Sequence, residues 1–283
     1  MKTYYINNGK LFEVSVSTLS VSNHSYRYGD GLFETMKMVN GKINLLEFHF
    51  ERLFYSMQVS GFRVPVFFSE KKITDEILQL AEKNNCIKLA RVRLTVSRGE
   101  GGMNDCDDKL QYTIECIAAD ENVNLFNENG FIIDIYPEAV KSCDKFSNLK
   151  STSCFYYVMA ARFAKENKLN DSLILNQHGH ICEASIANIF WIKDKIIYTP
   201  PLSGGCVAGV MRKYLLGRLP EAGCEVAEKQ CSADDLENAE EVFLTNAVYG
   251  IRWVKSCGNN NYRNASAVLF HKKFVSTLLE IAE

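Results

Sequence analysis

The chain has 283 residues, of which 47% are hydrophobic and 23% are charged, as is usual for globular proteins. This length suggests one large or two medium domains. The formal net charge of −2 gives no electrostatic reason to expect nucleic acid or an anionic membrane as a partner. The sequence has no run of about 18 apolar residues, and its start, MKTYYINNGK, lacks the pattern of a signal peptide. We therefore expect a cytoplasmic protein.

The ten cysteines form no C-x-x-C pair and show no spacing typical of zinc ligands. Since no export signal is recognised, we expect them to be reduced and mostly buried. His178 and His180 form a close histidine pair between two strand-like runs. A polar hairpin turn is favoured there over metal binding, and no metal site is predicted.

Strand-like apolar runs dominate the early chain. TYYINNGKLFEV and LFETMKMVNGKINLL each predict two strands joined by an Asn-Gly turn. The next pattern predicts a helix with Asn44 as its N-cap, Phe50 and Leu53 on its apolar face, and Gly61 at its end. A second helix is predicted over about 70–83, followed by the strands KLARVRLTVSRG and LQYTIECIAA.

The polar segment ADENVNLFNENG lacks periodicity and predicts a linker. The linker covers residues 119–130, between an N-terminal domain of residues 1–118 and a larger domain of residues 131–283. The larger domain is predicted to contain the strand FIIDIYP, the helix FYYVMAARFAKENK, the hairpins SLILNQHGHICEA and ANIFWIKDKIIYTP, the helix VAGVMRKYLLGRL and the late strand EVFLTNAVYGIRWV. Together these elements predict two α+β domains with mixed sheets and flanking helices.

Three charged residues are candidates for chemistry. Lys150, in SNLKST, lies between a loop and a helix start; a lone lysine is normally solvated, but a buried one can act as an amine nucleophile. Arg52 lies beside the centre of its helix's apolar stripe and is either solvated or a phosphate ligand. Glu183 has apolar neighbours and is either an exposed strand acid or a buried acid with a partner.

Two weaker signals concern anion binding. Arg91 and Arg93 share one face of a strand, and they form an anion site if that face lines a cleft. Gly209 precedes a helix, where a ligand could approach backbone N–H groups at the positive end of the helix dipole.

The order of the motifs is more informative than any one of them. YRYGDGLFET, EFHFERL, SRGEGG, NLKS, CEASIANIFW, VAGVMR and FLTNAVYG resemble, in that order, the class IV aminotransferase-like enzymes of fold type IV. That family includes branched-chain aminotransferases, D-amino-acid aminotransferases and aminodeoxychorismate lyases. The resemblance implies two α+β domains, pyridoxal 5′-phosphate as cofactor, a small amine or carboxylate substrate, and a homodimer.

The resemblance also implies roles for the matching residues. Lys150, in the C-terminal domain, would form the Schiff base and move the substrate's proton. Glu183 would face the pyridine nitrogen and keep it protonated. Arg52 would bind the phosphate, together with the backbone N–H groups of Val210 and Met211.

Further matching positions are expected near the cofactor or the substrate. The expected cofactor contacts are Asn188, Asn246 and Ala247. The expected substrate contacts are Tyr28, Phe33, Arg91 and Arg93, with Tyr28 able to serve the neighbouring subunit.

Several segments favour the lyase within this family. GDGLFET, EASIANIFW and TNAVYGI look more like lyase segments than transaminase segments. Met103 and Asp105 stand where D-amino-acid aminotransferases carry an arginine and a histidine, and Phe155 stands where branched-chain enzymes carry a tyrosine. Some lyases also have an arginine at the position of Met103, and Arg91 or Arg93 could replace it.

The sequence therefore predicts a 4-amino-4-deoxychorismate lyase, which forms 4-aminobenzoate and pyruvate for folate synthesis. The alternative is an amino-acid aminotransferase, of branched-chain or other specificity. A third hypothesis is an inactive relative that binds the cofactor as a binding or structural protein, and the retained Lys150, Arg52 and Glu183 disfavour it.

Overall fold

The structure is a computed structural model that describes residues 2–280. These residues form two compact units, one of residues 2–122 with Leu149–Cys154, the other of Val123–Asn148 with residues 155–280. Lys150 therefore groups with the first unit, whereas the sequence-based boundaries assign it to a domain of residues 131–283. Hydrogen bonds of its segment to the strand that begins at Gly31 explain the difference.

The first unit is built on a six-stranded sheet with the order β2-β1-β6-β5-β3-β4, in which all neighbouring strands are antiparallel. Its elements are β1 (Tyr4–Asn7), β2 (Lys10–Glu13), α1 (His24–Tyr28), β3 (Gly31–Val39), β4 (Lys42–Ile43), α2 (Leu46–Val59), α3 (Glu70–Lys83), β5 (Leu89–Arg98) and β6 (Leu110–Ala118). Both predicted Asn-Gly hairpins are confirmed. Asn40 and Gly41 turn the second one with φ of 47° and 75°, which these two residue types tolerate.

Helix α2 packs its apolar face on this sheet, as predicted, with Phe50 and Leu53 in the core. The predicted N-cap at Asn44 is wrong: Asn44 still belongs to the β3–β4 hairpin, where its N–H donates to the Lys37 carbonyl (2.9 Å), and the helix begins two residues later, at Leu46. Leu45 takes the cap position instead, with φ of 54° and no side-chain cap.

The second unit contains a nine-stranded mixed sheet with the order β12-β11-β10-β13-β14-β7-β8-β9, and β15 beside β14. Its elements are β7 (Phe131–Lys141), α4 (Phe155–Glu166), β8 (Asp171–Asn176), β9 (Ile181–Ala184), β10 (Asn188–Lys193), β11 (Ile196–Thr199), α5 (Val210–Glu221), β12 (Glu225–Glu228), α6 (Ala233–Glu237), β13 (Glu241–Asn246), β14 (Gly250–Cys257), β15 (Asn260–Asn261), α7 (Ala265–Phe270) and α8 (Ser276–Glu280). Strand β7 lies parallel to both β14 and β8. The α+β class is thus confirmed, with a mixed sheet in this unit.

The predicted late strand EVFLTNAVYGIRWV is wrong as a single element, since it forms the antiparallel hairpin β13–β14. The cause is local: the side-chain Oδ1 of Asn246 accepts the N–H groups of Val248 and Tyr249 and closes a turn. Gly250 then opens β14 with φ of 73°. The turn between β8 and β9 at the His178–His180 pair is as predicted.

All ten cysteines lie among the described residues and are free thiols. Within residues 2–280, no helix combines the length and the apolar composition that crossing a membrane requires.

Candidate active site

Lys150 is anchored to the start of β3 by its own backbone. Its carbonyl accepts the N–H of Phe33 (2.9 Å), and the Thr152 N–H donates to the Gly31 carbonyl (2.8 Å). Gly31 must be a glycine for this approach, because an added Cβ would lie 2.8 Å from the Val96 carbonyl and 2.9 Å from Thr152 Oγ1. Lys150 is only half-exposed and is fixed beside β3, which is unlike an ordinary surface lysine.

The ring of Phe33 carries two cations. Lys150 Nζ lies 4.6 Å from the ring centroid, and the guanidinium carbon of Arg93 lies 3.9 Å from it. Arg93 is half-buried, and this burial lowers its pKa. Arg91, on the same face of β5, is exposed. The structure therefore brings together Lys150, Phe33 and Arg93, with Arg91 outside this contact.

Arg52 is held by a buried carboxylate that the sequence analysis missed. Its Nε donates to Glu34 Oε1 at 2.8 Å, and its Nη2 pairs with Glu34 Oε2. His49 Nδ1 lies 2.6 Å from the same Oε2. Burial alone would raise the pKa of Glu34, but the charges of Arg52 and His49 outweigh it and lower the pKa to about 2.

The charge of Lys150 also acts on His49, the second partner of this carboxylate. Burial lowers the pKa of His49, and the positive charges of Arg52 and Lys150 lower it further against the opposing effect of Glu34. We call Phe33, Glu34, His49, Arg52 and Lys150 the lysine cluster. One signal could have revealed it: His49 and Arg52 stand three residues apart in a helix and so share a face.

Glu183 is buried in the second unit with three donors around its carboxylate. Lys141 Nζ donates to Oε1 at 2.6 Å and the Tyr157 hydroxyl donates to the same oxygen at 2.7 Å. The Val207 N–H donates to Oε2 at 2.9 Å. Of the two interpretations left open by the sequence, the buried acid with a partner is correct. Lys141, Tyr157 and Glu183 form what we call the glutamate cluster.

The start of α5 is built around Gly209 and Asn188. Gly209 is the N-cap and has no side chain to cap the helix, so the first N–H groups have no intrahelical partner. An added Cβ at Gly209 would lie 1.8 Å from Asn188 Oδ1, so only glycine fits. Asn188 Nδ2 in turn donates to the Val207 carbonyl at 2.9 Å. Val210 and Met211 begin the helix and have buried side chains.

Three of the remaining predicted positions make their hydrogen bonds and ring contacts with residues that belong to neither cluster. The Asn246 amide shapes the β13–β14 turn and donates to the Ile186 carbonyl at 3.2 Å, and Ala247 lies in that turn. Tyr28 closes α1 in the first unit, where its exposed ring lies 4.7 Å from the His24 ring.

Comparisons with known proteins agree on one family. A model of the amino-transferase class IV family matches residues 31–257. The chain is 28% identical over 256 residues to a putative branched-chain-amino-acid aminotransferase from Methanocaldococcus jannaschii, covering 87% of this chain and 84% of that protein. It is also 28% identical over 286 residues to the aminodeoxychorismate lyase of Bacillus subtilis, covering 96% of this chain and 94% of the lyase.

The fold agrees as well. The PLP-bound form of a hypothetical aminotransferase from Mycobacterium tuberculosis superposes with a TM-score of 0.83 at 17% identity, over 99% of this chain and 98% of that one. The family match covers most of the chain, and fold type IV is shared with solved structures. The chain therefore belongs to the class IV aminotransferase family and is an enzyme whose cofactor is pyridoxal 5′-phosphate.

Proposed function

We propose that this enzyme is a 4-amino-4-deoxychorismate lyase, which releases pyruvate and 4-aminobenzoate. The observation that supports this choice is which aromatic residues follow Lys150 and what their side chains contact. Phe155 replaces the tyrosine of branched-chain enzymes, and its side chain is 72% exposed. The nearby Tyr157 hydroxyl is committed to Glu183. Neither residue matches the pattern of a branched-chain aminotransferase.

The residues present suit pyridoxal phosphate. Glu183 is an anionic acceptor, as a protonated pyridine nitrogen requires, and a carboxylate has about four lone-pair sites, of which three are used here. The start of α5 combines unpartnered N–H groups with a position where only glycine fits, which suits a phosphate. Nε2 of buried His49 has no hydrogen-bond partner among the described residues. The lysine cluster can therefore make one more hydrogen bond to a bound group.

We assign the roles as follows. Lys150 Nζ would bind the cofactor's aldehyde, and Glu183 would hold the proton on the pyridine nitrogen. The phosphate would be held by Arg52 and by the backbone N–H groups of Val210 and Met211. The cofactor supplies an electron sink next to the substrate carbon that loses its proton.

The chain's own groups then act on the substrate. Lys150 Nζ takes the proton from the carbon that carries the amine, as a positioned general base. The side chain of Arg93 makes no hydrogen bond or ion pair within residues 2–280, so its guanidinium is available for a substrate carboxylate. Breaking of the carbon–oxygen bond to the enolpyruvyl group then leaves an aromatic ring. The expelled enolpyruvate takes up one proton, equivalent to the one that Lys150 removed, and becomes pyruvate.

The deciding experiment offers 4-amino-4-deoxychorismate to the purified enzyme and measures pyruvate and 4-aminobenzoate. We expect both products in equal amounts and without added keto acid, because the lyase reaction needs no second substrate. Amine exchange with 2-oxoglutarate, without release of 4-aminobenzoate, would contradict the lyase and establish an aminotransferase.

The aminotransferase remains the second candidate because a branched-chain relative is as similar in sequence as the lyase. The same preparation should be offered branched-chain amino acids and D-alanine with 2-oxoglutarate. The homodimer and the cytoplasmic location expected from the sequence remain predictions.

A further inference from the structure

Lys141, at the end of β7, has no role in the assignment above, yet its amine is buried against Glu183. The Nζ lies 2.6 Å from Glu183 Oε1, and the two side chains are only 7% and 4% exposed. It also lies 5.2 Å from the centroid of the Tyr157 ring. A lysine is rarely buried to this extent unless it is paired.

Stability alone does not account for a buried ion pair. The free energy needed to remove two charges from water is about as large as the free energy of their attraction. Replacing such a pair by two apolar side chains would therefore often leave the protein equally stable. Glu183, however, must be ionised to hold a proton on the pyridine nitrogen. A cation on one of its oxygens offsets part of the negative charge of the carboxylate and so reduces its attraction for that proton.

We infer that Lys141 is a positioning residue that orients Glu183 and, as a buried cation, limits how tightly Glu183 holds the proton of the pyridine nitrogen. This inference rests on the proposed role of Glu183. Lys141 would thereby moderate the strength of the electron sink without touching the substrate.

The other titratable groups around Glu183 are not positioned to replace this charge. Tyr157 on α4 and Cys182 on β9 stay neutral, because burial raises the pKa of each well above its usual value. Burial likewise raises the pKa of Cys206, in the segment before α5, to about 12. Arg212 on α5 is turned towards Glu228 and the Pro200 carbonyl.

The first test uses the cofactor-free protein. Lys141→Met should lower the Tm by on the order of 10 °C at neutral pH, because Glu183 is left as an unpaired buried charge. Adding Glu183→Gln should restore most of the loss, because the unpaired buried charge is then removed. Lys229→Met is the matched control, since it removes an ion pair between an exposed lysine and Asp235 and should change the Tm by no more than about 2 °C.

The second test uses the loaded enzyme and distinguishes positioning from a merely structural role. Removing the cation should raise the pH midpoint of the cofactor's visible-band titration by about half a unit or more, since positive charge nearby disfavours protonation. Lys141→Arg keeps the charge and should keep the midpoint.

The outcomes separate this inference from the proposed function. A loaded Lys141→Met variant with an unchanged midpoint would overturn the inference and leave the cofactor assignment intact. A Lys141→Arg variant whose midpoint shifts as far as that of Lys141→Met would also overturn it, because charge would not be the cause. A wild type that takes up no pyridoxal phosphate would overturn the proposed function, and the inference with it.

Discussion

Glu34 and Glu183 are both buried carboxylates on sheet strands, with exposures of 2% and 3%, but their partners differ in kind. Glu34 is paired with His49 and Arg52, two basic residues that lie one turn apart on a single helix. Glu183 accepts three hydrogen bonds: one from a lysine on β7, one from a tyrosine hydroxyl on α4, and one from a backbone N–H in the segment before α5.

The difference shows that burial alone does not distinguish a carboxylate proposed to bind the cofactor from one that holds a helix against a strand. Arg52 cannot lose its proton, so Glu34 stays ionised and serves to hold α2 against β3. One oxygen of Glu183, by contrast, has only a backbone donor and keeps room for another hydrogen bond. Basic side chains near Lys150, including Arg93, suit phosphate and carboxylate groups, whereas the glutamate cluster suits a protonated nitrogen.

The largest expected effect is the loss of activity on replacing Lys150, the member of the lysine cluster whose proposed role is chemical. Lys150→Ala should lower kcat by about 10³-fold or more and abolish the visible band of the loaded enzyme, because the general base and its bond to the cofactor are lost. Stopped assays and absorption spectra would measure this. Lys145→Ala is the control, as Lys145 is exposed in the same loop. An active, yellow Lys150→Ala variant would refute the assignment.

The second largest effect is expected for Glu34, whose proposed role is to stabilise the fold. Its folded pKa of about 2 lies below its ordinary value of 4.5, so its contribution to stability is present above pH 4.5 and is lost as the pH falls towards 2. The contribution above that window is about 3 kcal/mol. Glu34→Gln should lower the unfolding free energy at pH 7 by a similar amount and flatten its decline between pH 4.5 and pH 2.

Urea unfolding at several pH values would measure both quantities. Glu82→Gln, which changes an exposed carboxylate on α3, should leave the pH dependence nearly unchanged. A Glu34→Gln variant that declines in acid as steeply as the wild type would show that other carboxylates carry the acid sensitivity.

Local signals explain what the sequence could predict. The Asn-Gly hairpins follow from residues that tolerate left-handed backbone, and α2 follows from the spacing of Phe50 and Leu53. The Asn44 cap failed because the β3–β4 hairpin extends to Asn44 and the helix begins only at Leu46, which the capping pattern alone does not register.

The partners of the candidate site residues were missed for a related reason. Lys141 and Glu183 are separated by 42 residues, and their pairing depends on β7, β8 and β9 being neighbours in one sheet. Glu34 contacts His49 across 15 residues, through the packing of α2 on β3. Lys150 and Glu183 were proposed as site residues only because whole motifs resemble a family, since neither residue is distinctive alone.

Arg93 lies over the ring of Phe33, beside the lysine cluster, and its replacement tests whether this place binds a substrate carboxylate. Arg93→Met should raise the KM for 4-amino-4-deoxychorismate by about 10- to 100-fold, as expected for losing a charge-assisted hydrogen bond to a carboxylate. The Tm should change little, because the Arg93 side chain has no hydrogen bond to lose within residues 2–280. Arg91→Met, on the same strand face but exposed, is the matched control. Equal KM values for both variants would remove Arg93 from the substrate site.

The smallest expected effect tests whether Tyr157, the neutral donor to Glu183, contributes less to stability than Lys141, the charged donor. Tyr157→Phe removes the 2.7 Å hydrogen bond to Oε1 but leaves Lys141 on the same oxygen. We expect a loss of about 1–2 kcal/mol in unfolding free energy, smaller than for Glu34→Gln, because no buried charge loses its ionic partner. Tyr156→Phe is the matched control, since Tyr156 is exposed and adjacent. If Tyr157→Phe destabilised the protein as much as Lys141→Met, hydrogen-bond geometry rather than charge would hold Glu183 in place.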